Sequence, residues 1–195
     1  MLDMFTAGMT PIERLEALRA EIKDYQNRNC IDHKKTKIKL FWGDTVNINT
    51  GIVIITDPPK AKFFESNGDK FIINLLTSYD LTKFFITYNY LVYGENSTPK
   101  DIKDFSYYIK KLIDIINPKI IVCMGESSQF CFFKRKFMMI DFHGKQIGDH
   151  ESIPIFTTYP IKYYEERSKY EDHSYKEQIR NKDWEAIKEK YKELQ

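Results

Sequence analysis

The residues with the clearest chemical potential follow four runs of aliphatic residues. Each run has the apolar composition of a strand that is buried on both faces. The first run, in "GIVIITDPP", leads directly into Thr56, Asp57 and Pro58. A carboxylate fixed between a strand and a proline can orient water or stabilise a positive charge, so Asp57 is the leading catalytic candidate. The alternative is a simple turn, because Asp before Pro is common there.

The other three runs end on groups that are suited to binding. "KFFITYNY" carries Asn89, whose carboxamide has one acceptor and two donors and can therefore form paired hydrogen bonds with a polar ligand. The residues at the ends of the third and fourth runs are Gly125, Ser127, Ser128, Thr157, Thr158, Tyr159 and Pro160. Because the carboxyl ends of parallel strands share one edge of a sheet, we expect these groups to meet at one cleft. Asn89 as a strand terminator and Ser127 as a helix cap are the alternatives.

Helical patterns separate these strands. Helices are predicted over 11–22, 70–80, 100–116, 126–137 and 181–195, and a further strand over 37–42. The alternation of strands and helices predicts an α/β fold, a three-layer α/β/α sandwich around a mostly parallel four-stranded sheet. We expect one domain over residues 1–195. Residues 1–45 are predicted to form an N-terminal helical extension that packs on the sheet or binds a protein partner.

Length and composition bound the class of protein. The chain has 195 residues and 42% hydrophobic content, enough for one hydrophobic core. Its apolar runs are far shorter than the roughly 20 residues of a membrane helix, and its start lacks the pattern of a secretory signal. Cys30, Cys123 and Cys131 are too scattered for a disulfide framework or a metal site. We therefore expect an intracellular protein that is not secreted and has no membrane partner.

The net charge of +2 says little about binding partners, and the distribution of the charges is more informative. Lysines gather at 32–39, at 133–137 and around Lys60 and Lys62. Solvated surface is the simplest interpretation of any one cluster, but several clusters beside strand ends also suit a phosphate backbone. The heavy use of Lys, Ile, Asn and Tyr is typical of an AT-rich genome, such as that of some viruses.

Several segments, taken in order, resemble the uracil-DNA glycosylase superfamily over roughly residues 50–190. "IITDPP" is similar to the motif in which a buried strand delivers a water-activating Asp, and "NGDKF" to the segment whose aromatic residue, here Phe71, stacks on the extruded base. "ITYNY" is similar to the strand whose Asn reads the uracil edge. "INPKIIVCMGESS" is similar to the strand before a phosphate-contacting turn. "HGK", "IPIFTTYP" and "KDW" keep the order of the later segments.

The resemblance implies a monofunctional DNA glycosylase. Such an enzyme flips uracil or a 5-substituted uracil out of single- or double-stranded DNA and hydrolyses its N-glycosidic bond. The catalytic residues implied are Asp57 and Tyr159, and the base-binding residues are Thr56, Pro58, Pro59, Phe71 and Asn89. The phosphate-binding residues implied are Gly125, Ser127, Ser128, Thr157, Thr158, Pro160, Lys60, Lys145 and Lys162. No cofactor is implied, since the iron–sulfur branch of the family needs four cysteines.

Two departures from the family pattern keep other functions open. The last motif usually reads His-Pro, but Tyr159 stands before Pro160 here, and Pro59 replaces the Tyr that excludes thymine in the best-known branch. His143 or His150 could supply an imidazole, although surface histidines are the simpler interpretation. One alternative function is a catalytically weak or inactive DNA-binding or accessory protein, as in viral replication. The other is an enzyme that acts on free deoxyuridine or its monophosphate.

Overall fold

The computed structural model describes residues 8–28, 41–43, 51–58, 67–90, 98–165 and 173–195. The helices are α1 (Pro11–Arg28), α2 (Asn67–Ser78), α3 (Pro99–Ile116), α4 (Met139–Phe142), α5 (Ile161–Glu165) and α6 (His173–Glu193), with a 3-10 helix at Ser128–Cys131. The strands are β1 (Phe41–Gly43), β2 (Ile52–Thr56), β3 (Phe84–Tyr88), β4 (Ile120–Met124), β5 (Lys145–His150) and β6 (Ile153–Thr158). None of the described helices is long and apolar enough to cross a membrane.

These strands form one sheet in the order β1-β3-β2-β4-β6-β5. The four inner strands run parallel, and the edge strands β1 and β5 run antiparallel to their neighbours. The predicted parallel core of four strands is confirmed, and in the described part of the chain two antiparallel edge strands extend the sheet to six. The sequence pattern does not predict β5 because "KQIGDH" is polar and carries a β-bulge between Gln146 and Gly148, both of which suit a solvent-exposed edge.

Helices cover both faces of the sheet. On one face, α1 and α3 pack over Val53, Ile55 and Ile121, and on the other α2, α5 and α6 pack over Ile52 and Ile54. Neighbouring residues of β2 belong to opposite cores because side chains alternate along a strand. All five residues of β2 are buried, which explains its unbroken aliphatic sequence. The α/β sandwich predicted from the sequence is confirmed.

The N-terminal segment contributes to both a helical layer and the sheet. α1 buries Leu15, Leu18 and Ile22 in the same core as α3. The strand β1 then pairs with β3 at the edge of the sheet. The described part of residues 1–45 thus holds one core helix and one edge strand, and β1 overlaps the strand predicted over 37–42 at residues 41 and 42.

The strand order creates a crevice at one edge of the sheet. β3 lies beside β2 and β6 lies beside β4, so the connections that leave the carboxyl ends of β2 and β4 run to opposite sides of the sheet. Asp57 directly follows β2, and Gly125 directly follows β4. The fold thus brings two predicted site segments to the place where open α/β sheets bind their ligands.

The predicted helix over 126–137 is wrong. Only the 3-10 helix forms there, and turns follow it. The Gln129 side chain explains the break, because it accepts the Phe137 N–H at 2.5 Å and donates to the Phe137 carbonyl at 3.2 Å. A side chain that satisfies the backbone in this way competes with a helical ladder. One turn of 3-10 helix has no sizeable macrodipole, so a helix dipole cannot favour a phosphate here.

Both ends of α3 are specified by the sequence. Thr98 and Asp101 form a capping box, in which Thr98 Oγ1 accepts the Asp101 N–H at 3.2 Å and the Asp101 carboxylate accepts the Thr98 N–H at 3.0 Å. At the other end, Asn117 has a left-handed backbone with φ of 46° and precedes Pro118. The predicted end of this helix at residue 116 is confirmed.

Two buried thiols test the packing around β4. Cys123 and Cys131 have almost no exposed surface, and burial raises the pKa of both thiols, that of Cys131 to about 12. Because the thiolate is the reactive form, we expect neither residue to react with iodoacetamide at mildly alkaline pH in the native protein, and both to react in urea. Peptide mass mapping measures this. Rapid native modification of either residue would show that this core opens.

Candidate functional site

The Asp57 carboxylate is the centre of a hydrogen-bonded group at the crevice. Its Oδ1 atom accepts from Asn89 Nδ2 at 2.6 Å and from Ser127 Oγ at 2.5 Å. These residues follow β2, β3 and β4, so the group forms only because the three strands are neighbours. Within the described ranges no donor binds Asp57 Oδ2, and Asp57 is exposed. One carboxylate oxygen is therefore fixed, and the other is accessible to water or a ligand.

Asn89 is fully buried but only partly satisfied. Its backbone N–H donates to the Thr56 carbonyl at 2.9 Å and continues the pairing of β2 with β3. Its side-chain nitrogen binds Asp57 and lies 3.4 Å from Ser128 Oγ. The reversed amide would set a carbonyl against a carboxylate, so this orientation follows from charge. The carbonyl oxygen Oδ1 is buried and has no partner in the described part of the chain, which costs free energy unless a donor reaches it.

The turn after β4 is tightly packed. Gly125 has φ of 88°, and a Cβ there would lie 3.2 Å from Pro160 Cβ. Position 125 therefore needs a residue that adopts a positive φ and has no Cβ, and glycine has both properties. The Gly125 N–H donates to the Thr158 carbonyl at 2.8 Å and ties the end of β4 to the end of β6.

A second group of side chains surrounds Tyr159 at the end of β6. The Tyr159 ring stacks on that of Tyr163, with centroids 4.1 Å apart and 18° between the planes, and the His143 ring centroid lies 5.3 Å away. Tyr159 packs against the core of the α2, α5 and α6 face. Because the ends of β4 and β6 are hydrogen-bonded, this group neighbours the turn that carries Ser127.

His143 is held by a buried carboxylate. Asp183 has no exposed surface, its Oδ1 lies 2.6 Å from His143 Nδ1, and its Oδ2 accepts from Thr158 Oγ1 at 2.7 Å. Burial raises the pKa of Asp183, and the hydrogen bonds from Thr158 and His143 partly offset that effect. Gly144 permits the approach, since a Cβ there would lie 2.7 Å from Asp183 Oδ1. The Asp183 carboxylate holds the His143 ring through Nδ1, so Nε2 is the ring nitrogen that could bind a ligand or transfer a proton.

Phe71, which we predicted to stack on a base, is partly buried and packs against the core of the α2, α5 and α6 face. Its ring stacks on that of Tyr164, with centroids 5.9 Å apart, and the Arg180 guanidinium lies 5.9 Å from its centroid. Helical spacing places Phe71 on the same face of α2 as the buried Leu75. The position of Phe71 therefore favours a core role over that of a base platform.

Three hydroxyl groups predicted to bind phosphate are fully buried and already bonded. Thr157 and Ser128 donate to backbone carbonyls of β4 at 3.2 Å and 3.1 Å, and Thr158 donates to Asp183. Thr157 and Thr158 lie on the inner strand β6, whose side chains point into the cores on either face, and Ser128 begins the 3-10 helix that follows β4. These three side chains are therefore corrected to structural roles.

The remaining predicted site residues differ in exposure. Ser127, Pro58, Tyr159 and Pro160 are half-buried, Thr56 is buried, and Lys145 and Lys162 are exposed. Pro59 and Lys60 lie outside the described residues. The structure therefore joins Asp57, Asn89 and Ser127 in one group, and it places Tyr159 in the neighbouring group with residues the sequence did not single out.

The pairing of His143 with Asp183 is the main feature that sequence reasoning missed. The two residues stand in "HGK" and "KDW", segments noted only for their order, and 40 positions separate them. No pattern in a single sequence links residues so far apart. The side chain of His143 is only 18% exposed, and that of His150 is 16% exposed and lies 3.3 Å from Asp114. His143 is therefore more than a surface histidine, because it contacts a fully buried carboxylate, whereas the contact of His150 with the exposed Asp114 remains compatible with the surface interpretation.

Comparison with known proteins gives no family for this chain. No protein-family model matches it, and no curated protein matches its sequence. Among the side chains that the structure describes, no three His, Cys, Asp or Glu residues come together in a group that could hold a metal ion. What the chain does is therefore inferred from the geometry of these two groups and from its motifs.

The buried carboxylate should be costly to remove. Asp183→Ala leaves Thr158 and His143 without their acceptor, so we expect the free energy of unfolding to fall by about 2–4 kcal/mol. Urea denaturation followed by circular dichroism measures the loss. The matched control, Asp104→Ala on the exposed side of α3, should change stability by less than about 0.5 kcal/mol. Equal effects of the two substitutions would contradict the role of Asp183 as a buried anchor.

Proposed function

We propose that the chain is a monofunctional DNA glycosylase of the uracil-DNA glycosylase type, which removes uracil or a 5-substituted uracil from DNA. The observation that carries the proposal is the Asp57–Asn89 pair at the crevice, a positioned carboxylate beside a carboxamide whose buried oxygen has no donor among the described residues. Hydrolysis of an N-glycosidic bond uses both groups, one at the sugar and one at the base. The parallel strand order and the order of the motifs support the same class.

Asn89 supplies the recognition of the base. Its Oδ1 atom can accept a hydrogen bond from the imide N–H of uracil, which cytosine lacks. Asn89 has no exposed surface, so a base reaches it only after leaving the helical stack and after the groups over the end of β3 move aside. A donor to Oδ1 satisfies a buried acceptor, and this gain favours a base that has an N–H there over one that does not.

Asp57 supplies the charge for bond cleavage. As the C1′–N1 bond breaks, its electron pair leaves with the base, and the sugar becomes an oxocarbenium-like cation that a nearby carboxylate stabilises. A water molecule on Asp57 Oδ2 then adds to C1′, and its proton passes to the carboxylate and on to solvent. Because Ser127 and Asn89 hold Oδ1, the carboxylate needs no reorganisation during the step.

The group around Tyr159 has donors for the departing base, which carries negative charge. The Tyr159 phenol stands where the resemblance expects a His, and the His143 ring lies beside it, held by Asp183. A donor directed at developing charge contributes about 3 kcal/mol to transition-state stabilisation. In this proposal the phenol of Tyr159 is that donor.

A non-catalytic DNA-binding or accessory protein is the second candidate. Two ring contacts favour this second candidate. Phe71 already stacks on Tyr164 and Tyr159 already stacks on Tyr163, so an extruded base would have to displace these contacts in order to bind. Asp57 would then take part in binding without reacting. The third candidate, an enzyme acting on free deoxyuridine or its monophosphate, would use the same crevice without a DNA strand.

Excision assays test the proposal. The substrates are single- and double-stranded oligonucleotides that carry uracil or 5-hydroxymethyluracil, and alkali-labile sites report excision. We expect the wild type to excise at least one of these bases. Asp57→Asn should lower kcat by about 100-fold or more, because an amide does not stabilise a cationic sugar. Asn89→Ala should lower kcat/KM for uracil by about 10- to 100-fold through the lost hydrogen bond.

Asp80→Asn is the matched control for Asp57→Asn. The Asp80 side chain is 89% exposed and lies before β3, at the opposite edge of the sheet, and Asn tolerates its positive φ. This variant should match the wild type. If wild-type protein at high concentration leaves every oligonucleotide intact, the glycosylase proposal fails. DNA binding without excision would then favour the second candidate, and cleavage of free deoxyuridine monophosphate the third.

Tyr159→Phe tests the donor to the departing base. Removal of the phenol oxygen should lower kcat by about 100-fold and leave KM nearly unchanged, because the hydrogen bond strengthens only as charge develops. Tyr163→Phe keeps the stacked pair of rings and is the control, for which we expect little change in kcat. If Tyr159→Phe retains full activity, the donor is a different group, and His143→Gln becomes the variant expected to lose activity.

A further inference from the structure

Residues 134–142 form a ridge with an unusual combination of exposed side chains. Lys134, Arg135 and Lys136 are exposed cations, and Met138, Ile140 and Phe142 are large apolar residues with 51%, 76% and 36% of their surface exposed. We call this segment the 134–142 ridge. Isolated exposed apolar residues are ordinary, but three of them beside three cations form a patch that suits a partner.

The ridge is held in place by its own contacts. Gln129, which is fully buried, binds both backbone groups of Phe137. The Phe137 ring packs edge-on against Phe133 and against Phe142, with centroids 5.2 Å apart in each pair. Met139 is buried and anchors α4. The exposed side chains are therefore presented by a fixed backbone, so binding requires little ordering of the chain.

The ridge lies beside the Asp57 group. It follows β4 and leads into β5, and the Gly144 N–H just after it donates to the Thr157 carbonyl at the carboxyl end of β6, at 2.8 Å. Lys136 Nζ binds the Glu126 carboxylate at 2.7 Å, and Glu126 is next to Ser127. A chain that crosses the ridge would therefore reach the edge of the sheet at which Asp57 and Asn89 meet.

The ion pairs of the ridge indicate which of its cations would bind an anion most strongly. Glu126 already pairs with Lys136, and Asp141 is a second exposed carboxylate on α4. Lys134 has no carboxylate partner among the described residues, and the Arg135 guanidinium lies 5.0 Å from the Phe137 ring centroid rather than on an acid. Lys134 and Arg135 are therefore the cations best placed to bind phosphate.

We propose that the 134–142 ridge binds a single-stranded or locally unpaired nucleic-acid strand. Lys134 and Arg135 contact its phosphates, and Ile140 and Phe142 contact the faces of its bases. Cations that follow a backbone beside apolar or aromatic side chains are the combination that single strands need, and only unpaired bases offer their faces. A membrane surface fits less well, because α4 has four residues and a membrane-binding amphipathic helix uses a much larger apolar face. The inference concerns binding alone and does not require Asp57 to catalyse a reaction.

Fluorescence anisotropy with a labelled oligothymidylate tests the ionic part of the proposal. A plot of log affinity against log salt concentration has a negative slope. The variant Lys134→Gln/Arg135→Gln should make that slope shallower by about 1.4, since each phosphate contact on a single strand contributes about 0.7. The matched control is Lys83→Gln/Lys192→Gln, which removes two cations that are exposed at the opposite edge of the sheet. The control should keep the wild-type slope. Equal effects of the two double variants would show diffuse attraction and would overturn the assignment to the ridge.

Ile140→Ser tests the apolar part of the proposal. Ile140 is the most exposed apolar residue of the ridge, so its substitution leaves folding intact, and Ile12→Ser on α1, where the side chain is 55% exposed, is the control. We expect Ile140→Ser to weaken oligothymidylate binding by about fivefold or more with an unchanged salt slope, because apolar contact with a base releases no counterions. Phe142→Ala should weaken binding by about 5- to 100-fold. Wild-type affinity in both ridge variants would overturn the base contact.

Two further binding measurements distinguish single-strand binding from duplex binding and from membrane binding. A duplex of the same length should bind more weakly than the single strand, and vesicles of phosphatidylcholine with phosphatidylserine should not bind at all. Vesicle binding that the ridge variants abolish, without oligothymidylate binding, would overturn the proposal in favour of a lipid surface. Asp80→Asn, whose exposed side chain lies before β3, should bind the oligonucleotide as the wild type does. Loss of excision in every substrate, with ridge-dependent binding retained, would sink the proposed reaction and support this inference.

Discussion

Two donors that follow different strands hold the Asp57 carboxylate, and they meet only because β3 and β4 pair in parallel with opposite sides of β2. The register aligns the strand ends, since Thr56 pairs with Tyr88 and Asp57 and Asn89 follow as neighbours. A shift of one residue would turn every side chain of the strand to the other face. The aliphatic residues of β2 prevent such a shift, because each is committed to one of the two cores.

The two groups at this edge differ in how far their buried polar atoms are satisfied. Asp183 receives Thr158 and His143, so its carboxylate joins α6 to β6 and to the residues before β5. Asn89 commits its nitrogen to Asp57 and leaves a buried oxygen without a donor in the described structure. A satisfied network rigidifies a fold, whereas an unpaired buried acceptor is a cost that a ligand can remove. The first group therefore stabilises the edge, and the second is the better candidate for recognition.

The sequence predicts those parts of the structure that depend on burial. Unbroken aliphatic runs identify β2 and β4, and the ends of these runs identify Asp57 and the turn at Gly125. Helical spacing and capping residues identify α1 and α3 for the same reason, since one face of each is buried. The proximity of Asp57 to Asn89 follows from the parallel order of the strands, which the alternation of elements implies.

The sequence does not predict what depends on a specific partner far along the chain. β5 is an edge strand whose polar residues carry no strand pattern, and its existence depends on pairing with β6. The helical pattern over 126–137 is broken by one side chain, Gln129, that bonds to Phe137. Phe71 was assigned to a site by resemblance, but its ring stacks on that of Tyr164 and packs against the core, a contact that the sequence does not indicate. His143 and Asp183 meet only in the folded chain.

The polar, bulged strand β5 also bears on how this protein can assemble with others. The strand carries the exposed charged residues Lys145 and Asp149, and the register shift between Gln146 and Gly148 kinks it. A charged and kinked edge strand is a poor template for pairing with a strand of another molecule. β5 therefore disfavours edge-to-edge aggregation on that side of the sheet.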